Sequence, residues 1–302
     1  MNGGKTLRQP ALLVGLALAL SIVLSACGST ADHSVLPSGP ATAASGLQAA
    51  IVASELLPGE QRFPVGILSQ NTPVNDATVH IRAFLLISGS TAQFKSESDA
   101  PFRGAGLEGR GLYVAHLTFD AVGNWAAEIT ARRANGEEGV SRASFTVVAN
   151  ASVPAPGQPA PRSHNPTARD VSDVSYIDSG QPPDDMHQLS IADAIGQHRP
   201  TLVVFATPAF CQSRTCGPQV HAVQSVEPAY RDRMTFIHAE IYQNFKPDPS
   251  KKQFSTTVTE WRLQTEPWVF LIDSKGLIRT RFEAIADTDE LKAAIDQLLA
   301  AP

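Results

Sequence analysis

The sequence predicts two domains in series, an all-β sandwich followed by an α/β domain, on three observations. Residues 49–148 hold short apolar runs separated by turn residues. From Thr201 onward, strand-like and helix-like segments alternate to the C-terminus. Two stretches rich in Pro, Ala, Ser and Gly, at 28–48 and 149–169, mark the edges of these regions. A chain of 302 residues exceeds one ordinary core and suits two domains of about 100–150 residues each. With 43% apolar residues, 18% charged residues and a net charge of −5, the composition is that of a soluble globular protein. No basic stripe gives an electrostatic reason to expect a nucleic-acid partner.

In the all-β region, the strand runs centre on residues 63–68, 78–87, 111–119, 124–131 and 143–148. Val79, Ile81 and Ala83 alternate with His80 and Arg82, the period of a half-buried strand. Asn135-Gly136 is a hairpin turn signal. Several strands at this spacing in a hundred residues indicate a sandwich. Tyr113 and Trp125 are expected in its core, and His80 and His116 on its solvated face. The runs Gly111-Leu112-Tyr113-Val114-Ala115 and Gly123-Asn124-Trp125 resemble the immunoglobulin-like YtkA-type domains of exported bacterial proteins.

The N-terminus carries a separate message. Lys5 and Arg8 precede an apolar run, residues 11–24, that ends in Leu24-Ser25-Ala26-Cys27. The run is shorter than the roughly 20 residues of a spanning helix, and it reads as a signal-peptide core with small residues before the cleavage point. The tetrapeptide resembles the bacterial lipobox. That resemblance implies a lipoprotein signal peptide over 1–27, acylation of Cys27, and lipid anchoring at the extracytoplasmic face of the cell membrane. Two or three acyl chains anchor stably where one is marginal. Residues 28–48 read as a flexible tether. The Pro-rich stretch 149–169 reads as an extended spacer.

Acylation of Cys27 leaves Cys211 and Cys216 as the only cysteine pair, since the chain has 3 cysteines. An exported compartment permits a disulfide, but a loop this short stabilises little on the loop-entropy account. Reactivity explains the pair better. The pair follows the apolar run Thr201-Leu202-Val203-Val204-Phe205-Ala206, which has the character of a buried central strand. Val220, Val223 and Val226 mark a helix, residues 234–241 a strand, 257–263 a short helix, and 268–282 a hairpin. The last helix starts at Asp287 with Glu290 as a capping box and buries Leu291, Ile295, Leu298 and Leu299. In an unbroken helix, residues five apart have Cα atoms roughly 8–9 Å apart, beyond the disulfide limit of about 7 Å. Either Cys211 lies in a loop ahead of the helix, which Gly217-Pro218 favours, or the first turn unwinds on oxidation.

The segments Val203-Val204-Phe205-Ala206-Thr207-Pro208-Ala209-Phe210-Cys211 and Thr265-Glu266-Pro267-Trp268-Val269-Phe270 resemble membrane-tethered thioredoxin-like proteins of the TlpA/ResA kind, over about 130 residues (170–302). The resemblance implies a thioredoxin fold and thiol–disulfide exchange with protein thiols and disulfides of the cell envelope. Cys211 would be the nucleophile and Cys216 the resolving thiol. Glu266 and Pro267 would form the substrate-binding segment, with Pro267 as the family's cis-proline, and no cofactor is needed. Two features depart from that family: four residues separate the cysteines rather than two, and the strand before them carries no buried acid. The wider spacing also resembles Q-type peroxiredoxins, yet Pro208 stands where their Thr belongs and Thr265-Glu266-Pro267 where their Arg belongs. Sco-type copper-assembly proteins pair two thiols with a distant His, and paired thiolates suit Cu(I). Here that set would be Cys211, Cys216 and His221, although no metal is expected. His221 reads as a surface residue and His238 as a core one. A thioredoxin-fold module that binds a partner without catalysis is the remaining alternative.

Overall fold

The computed structural model describes residues 46–88 and 91–301. The signal segment, Cys27 and most of the tether lie outside the described residues. Among the described residues, no helix is long and apolar enough to cross a membrane.

The first domain is built from β1 (Gln48–Ile51), β2 (Gly59–Ser69), β3 (Thr72–Pro73), β4 (Ala77–Ser88), β5 (Thr91–Asp99), β6 (Phe102–Arg103), β7 (Leu112–Phe119), β8 (Gly123–Arg133) and β9 (Glu138–Val147). One sheet runs β1-β2-β7-β6 with β3 on β2, and the other β5-β4-β8-β9. Every pairing between these strands is antiparallel, and Leu56 adds one isolated parallel bridge to Val147. Alternation does the work here: Val79, Ile81 and Ala83 are buried while His80 and Arg82 are not. Tyr113 and Trp125 are core residues, with Trp125 set edge-on against Phe119 at 5.0 Å between centroids. His80 is tied to Asp99 on the surface and His116 stands beside Glu60. Strand β5 was not expected, because its sequence is polar and little of it beyond Ala92 is buried.

The second domain comprises α1 (Ile191–Gly196), β10 (Thr201–Ala206), α2 (Cys216–Val226), β11 (Thr235–Glu240), β12 (Tyr242–Gln243), β13 (Gln253–Phe254), α3 (Thr256–Trp261), β14 (Trp268–Ile272), β15 (Ile278–Glu283) and α4 (Thr288–Ala300). Its sheet order is β11-β10-β14-β15, with β10 parallel to β11 and antiparallel to β14. All six residues of β10 are buried. Leu202, Val204 and Ala206 pack with α2 and α4, whereas Val203 and Phe205 pack with α1 and α3. A strand covered on both faces needs this continuous apolar run. The capping box at Asp287 and Glu290 forms as expected, and Leu291, Ile295 and Leu298 are buried, while Leu299 is only partly so.

The stretch 149–169 differs from the free spacer its composition suggests. Val153, Ala155 and Ala160 are buried, and Val153 and Ala160 belong to the α1/α3 core. Ser163 and Asn165 are also buried, with the Asn165 side chain accepting from the Ile191 backbone N–H at 2.8 Å. Alternating Pro and Ala lack a helix or strand period, yet they present small apolar surface that packs well against a sheet domain.

The two domains are joined by more than this strap. Leu107, on the β6–β7 loop of the sandwich, is buried in the α2/α4 core. The same loop reaches the start of α4, where the Thr288 N–H donates to the Ala105 carbonyl at 3.0 Å. Gly106 adopts a φ of +72° there, and a Cβ would collide with Thr288. Arg62 donates to Glu290 at 2.7 and 3.0 Å and to the Ile285 carbonyl at 2.8 Å.

Candidate functional site

The cysteine pair sits where β10 hands over to α2. The Thr207 carbonyl accepts from the N–H groups of Phe210 and Cys211, folding the chain into a turn just past the strand. The helix begins at Cys216, with Pro218 in its first turn. Cys211 therefore lies in a loop ahead of the helix, the first of the two options. The Cα atoms of the disulfide-bonded Cys211 and Cys216 are 6.0 Å apart, inside the range that a disulfide bridges.

The two sulfurs occupy unlike surroundings. Cys216 is fully buried in the α2/α4 core, and Cys211 is half-buried at its edge. The Cys216 N–H, an unpaired donor at the helix start, points at Cys211 Sγ at 3.3 Å. Ser213 Oγ lies 3.1 Å from the same sulfur and 2.7 Å from Thr215 Oγ1. Cys211 Sγ is thus set among hydrogen-bond donors at a helix N-terminus, the setting that stabilises a thiolate.

The Glu266–Pro267 bond is cis, as the resemblance implied. Glu266 is half-buried, and burial pushes its carboxyl above the usual range. A cleft of about 470 Å³ runs alongside the cysteine loop, with Ser213, Thr215 and Glu266 on one side and Asn75, Gly111 and Leu112 of the sandwich on the other. Next to Cys211, the ring of Phe210 packs edge-on against Tyr242 and Phe245.

His221 is not brought to the cysteines. Its side chain is 61% exposed and bonded to Glu108 of the sandwich at 2.6 Å. Five residues of helix turn it about 140° from Cys216. His238 is a core residue. Burial alone lowers its pKa, but hydrogen bonding and attraction by Asp184 outweigh that and raise it to about 9.

Two features escaped the sequence reading. Glu240 pairs in register with Ala206, at the end of β11 beside the strand that leads into the cysteine loop. It is a buried acid one strand away from where thioredoxins keep theirs, and burial pushes its carboxyl up. Glu240 accepts from the Ser179 N–H at 2.9 Å, and Ser179 Oγ accepts from the Ala209 N–H at 3.1 Å. A buried acid is thereby linked to the loop that carries Cys211. The second feature is the segment supplying Ser179, whose other side chains form a separate cluster around His238.

Residues 187–299 match the family model of a thioredoxin-like domain. No curated protein matches the chain in sequence. Among solved structures, a DUF4426 family protein from Pseudomonas aeruginosa PAO1 shares 14% identity over 35% of this chain and 91% of that one, with a TM-score of 0.25. The fibronectin type-III domain of human fibronectin type III domain containing protein 3 shares 10% identity over 38% and 96%, with a TM-score of 0.23. MtrC from Shewanella baltica OS185 shares 16% identity over 37% and 23%, with a TM-score of 0.26. At such scores these likenesses say nothing about what the chain does.

Proposed function

We propose, from a C-terminal domain that is thioredoxin-like, that the protein is a lipid-anchored thiol–disulfide oxidoreductase of the extracytoplasmic face of the cell membrane. Export and anchoring rest on the signal-peptide pattern and the lipobox at Cys27. The observation that carries the chemistry is the asymmetry of the disulfide: a half-exposed Cys211 facing the first N–H of α2, and a buried Cys216 behind it.

In the proposed cycle, the Cys211 thiolate attacks one sulfur of a substrate disulfide. That bond breaks, and its electron pair leaves on the second substrate sulfur, which takes a proton from solvent. Cys216 then gives up its proton and attacks Cys211 Sγ. The mixed disulfide breaks, and the first substrate sulfur departs with the electron pair. Two electrons pass from the cysteine pair to the substrate, and the reverse sequence oxidises a substrate dithiol. The half-buried Glu266 and its neighbour Thr265 border the cleft in which an extended segment of a protein substrate would lie, with the sandwich supplying the opposite wall.

Variant trapping tests this reading. Cys211→Ala is expected to reduce insulin or mixed-disulfide exchange to background. Cys216→Ala is expected to hold substrate on Cys211, because the resolving thiol is gone. Rapid consumption of hydrogen peroxide with sulfenic acid on Cys211 and no dithiol exchange would instead establish a peroxidase. Stoichiometric Cu(I) binding lost in either cysteine variant, again without exchange, would establish a copper carrier. Partner capture unaffected by both variants would establish a binding module.

A further inference from the structure

The segment 178–187 folds back against β11 and places three titratable side chains around His238. The side chains of Asp178, Asp184, His187 and His238 are all sealed, with exposures of 1%, 4%, 2% and 0%, although Asp184 as a whole residue is partly exposed. His187 Nε2 lies 3.2 Å from Asp178 Oδ2 and 3.2 Å from Asp184 Oδ1. His238 Nδ1 lies 2.7 Å from Asp184 Oδ2 and 3.8 Å from Asp178 Oδ1. One donor atom from each of the four residues falls within 4.8 Å of every other.

We propose that Asp178, Asp184, His187 and His238 form a closed Zn²⁺ site that clamps the 178–187 segment to β11. Three observations carry the proposal. The first is spacing. Nitrogen and oxygen ligands at about 2.0–2.2 Å from a tetrahedral zinc stand roughly 3.3–3.6 Å from one another. The His-to-carboxylate separations of 2.7 to 3.8 Å, spread over both oxygens of each Asp, bracket that range, and one donor atom per residue can be chosen with every separation within 4.8 Å, so the four donors need only draw together on the ion to complete the tetrahedron.

The second is charge. Two buried carboxylates need two positive charges close by. If protons on the two histidines supplied them, two imidazolium rings would stand with centroids only 5.1 Å apart in an interior that screens poorly. One divalent ion supplies the same two charges, leaves both imidazoles neutral and removes that repulsion.

The third is the outer shell. His238 Nε2 lies 3.3 Å from the Ala206 carbonyl, which fixes the proton on Nε2 and leaves Nδ1 facing the carboxylates. Metal-binding histidines are oriented in this way. Backbone N–H groups of Gly180 and Asp184 hold the two oxygens of Asp178 at 2.7 Å, and Met186 N–H holds Asp184 Oδ1 at 2.9 Å. Four protein ligands with no open position make a structural site rather than a catalytic one. Its clamping action reaches the cysteine loop through Ser179.

The test uses the mature chain in its oxidised form, where the disulfide withholds both thiols from any metal. The protein is refolded with Zn²⁺ or Co²⁺ and dialysed, and its metal content is measured by plasma mass spectrometry. The expected result is one ion per chain and a visible tetrahedral Co²⁺ spectrum without a thiolate band. A fall in Tm on prolonged chelation is also expected. His187→Gln should lose the ion and the spectrum while still forming its disulfide. If that variant does not fold, the Co²⁺ spectrum and the chelation response of the parent decide the matter alone. A parent protein that takes up neither ion, with a Tm indifferent to chelator, would overturn the proposal and leave a hydrogen-bonded His–Asp network. A thiolate-to-cobalt band would also overturn it.

Discussion

The cysteine loop and the Asp–His cluster lie on either side of Ser179, and they use polar side chains in opposite ways. Around Cys211 the side chains are half-exposed, the hydrogen bonds are local, and a helix N–H is offered to a sulfur at the surface. Around His238 every charged atom is sealed from solvent and held by a carboxylate or by the backbone. The difference between the two regions is one of access to solvent. Cys211 and His238 both stand among hydrogen-bonding groups, but only the sulfur is reachable by a partner.

Breaking the sealed cluster should have the largest effect. His238→Ala leaves the buried Asp184 short of its closest partner, at 2.7 Å, and a severed buried pair typically costs about 3–5 kcal/mol. Chemical denaturation should report a loss of that order, against little change for the exposed His221→Ala. A smaller loss is expected for Arg62→Ala, which removes the partly buried ties from the sandwich to Glu290 and the Ile285 carbonyl. Hydrogen bonds to charged groups are worth about 1.5–3 kcal/mol. This variant should also loosen the sandwich wall of the cleft, measurable as faster hydrogen exchange in the 104–112 loop.

Ser179→Ala sharpens the comparison, because it cuts the bridge between the two regions. It removes the acceptor for the Ala209 N–H and should cost about 1 kcal/mol. In the reduced protein, Cys211 should alkylate faster while Cys216 stays protected. Glu266→Gln should have the smallest effect. Burial raises its carboxyl pKa in the folded protein above its ordinary value. The folded state thus holds that proton more tightly than the unfolded state, and ionisation costs stability as pH rises through the folded value. The Gln variant should be slightly more stable than the parent at neutral pH, with the difference vanishing in acid. Thermal denaturation across pH checks the sign.

The sheet of the second domain was legible because one short run, residues 201–206, is apolar at every position but Thr201 and a capping box announces the last helix. The sandwich was legible wherever one strand face is apolar, and β5 was missed because little of it beyond Ala92 faces the core. The site was legible in part. Cys211 and Cys216 announce themselves, and Glu266-Pro267 is visible through a family resemblance. The Asp–His cluster was not visible, because its members come from an irregular segment and a distant strand with no ligand spacing to read. The only trace was a histidine placed in the middle of an apolar strand. Leu107 was equally hidden: a loop leucine of one domain gives no sign that it completes the core of the other.

The central claim is that Cys211 and Cys216 form a reversible couple in which Cys211 is the reacting thiol. Equilibration in glutathione buffers of graded potential, followed by acid quench, alkylation and mass spectrometry of the protein, tests it most directly. The expected result is a single transition between species differing by two adducts, with Cys211 the first residue labelled when the reduced protein is pulsed briefly with alkylating agent. Two thiols that stay free in oxidising buffer, or a first adduct on Cys216, would contradict it.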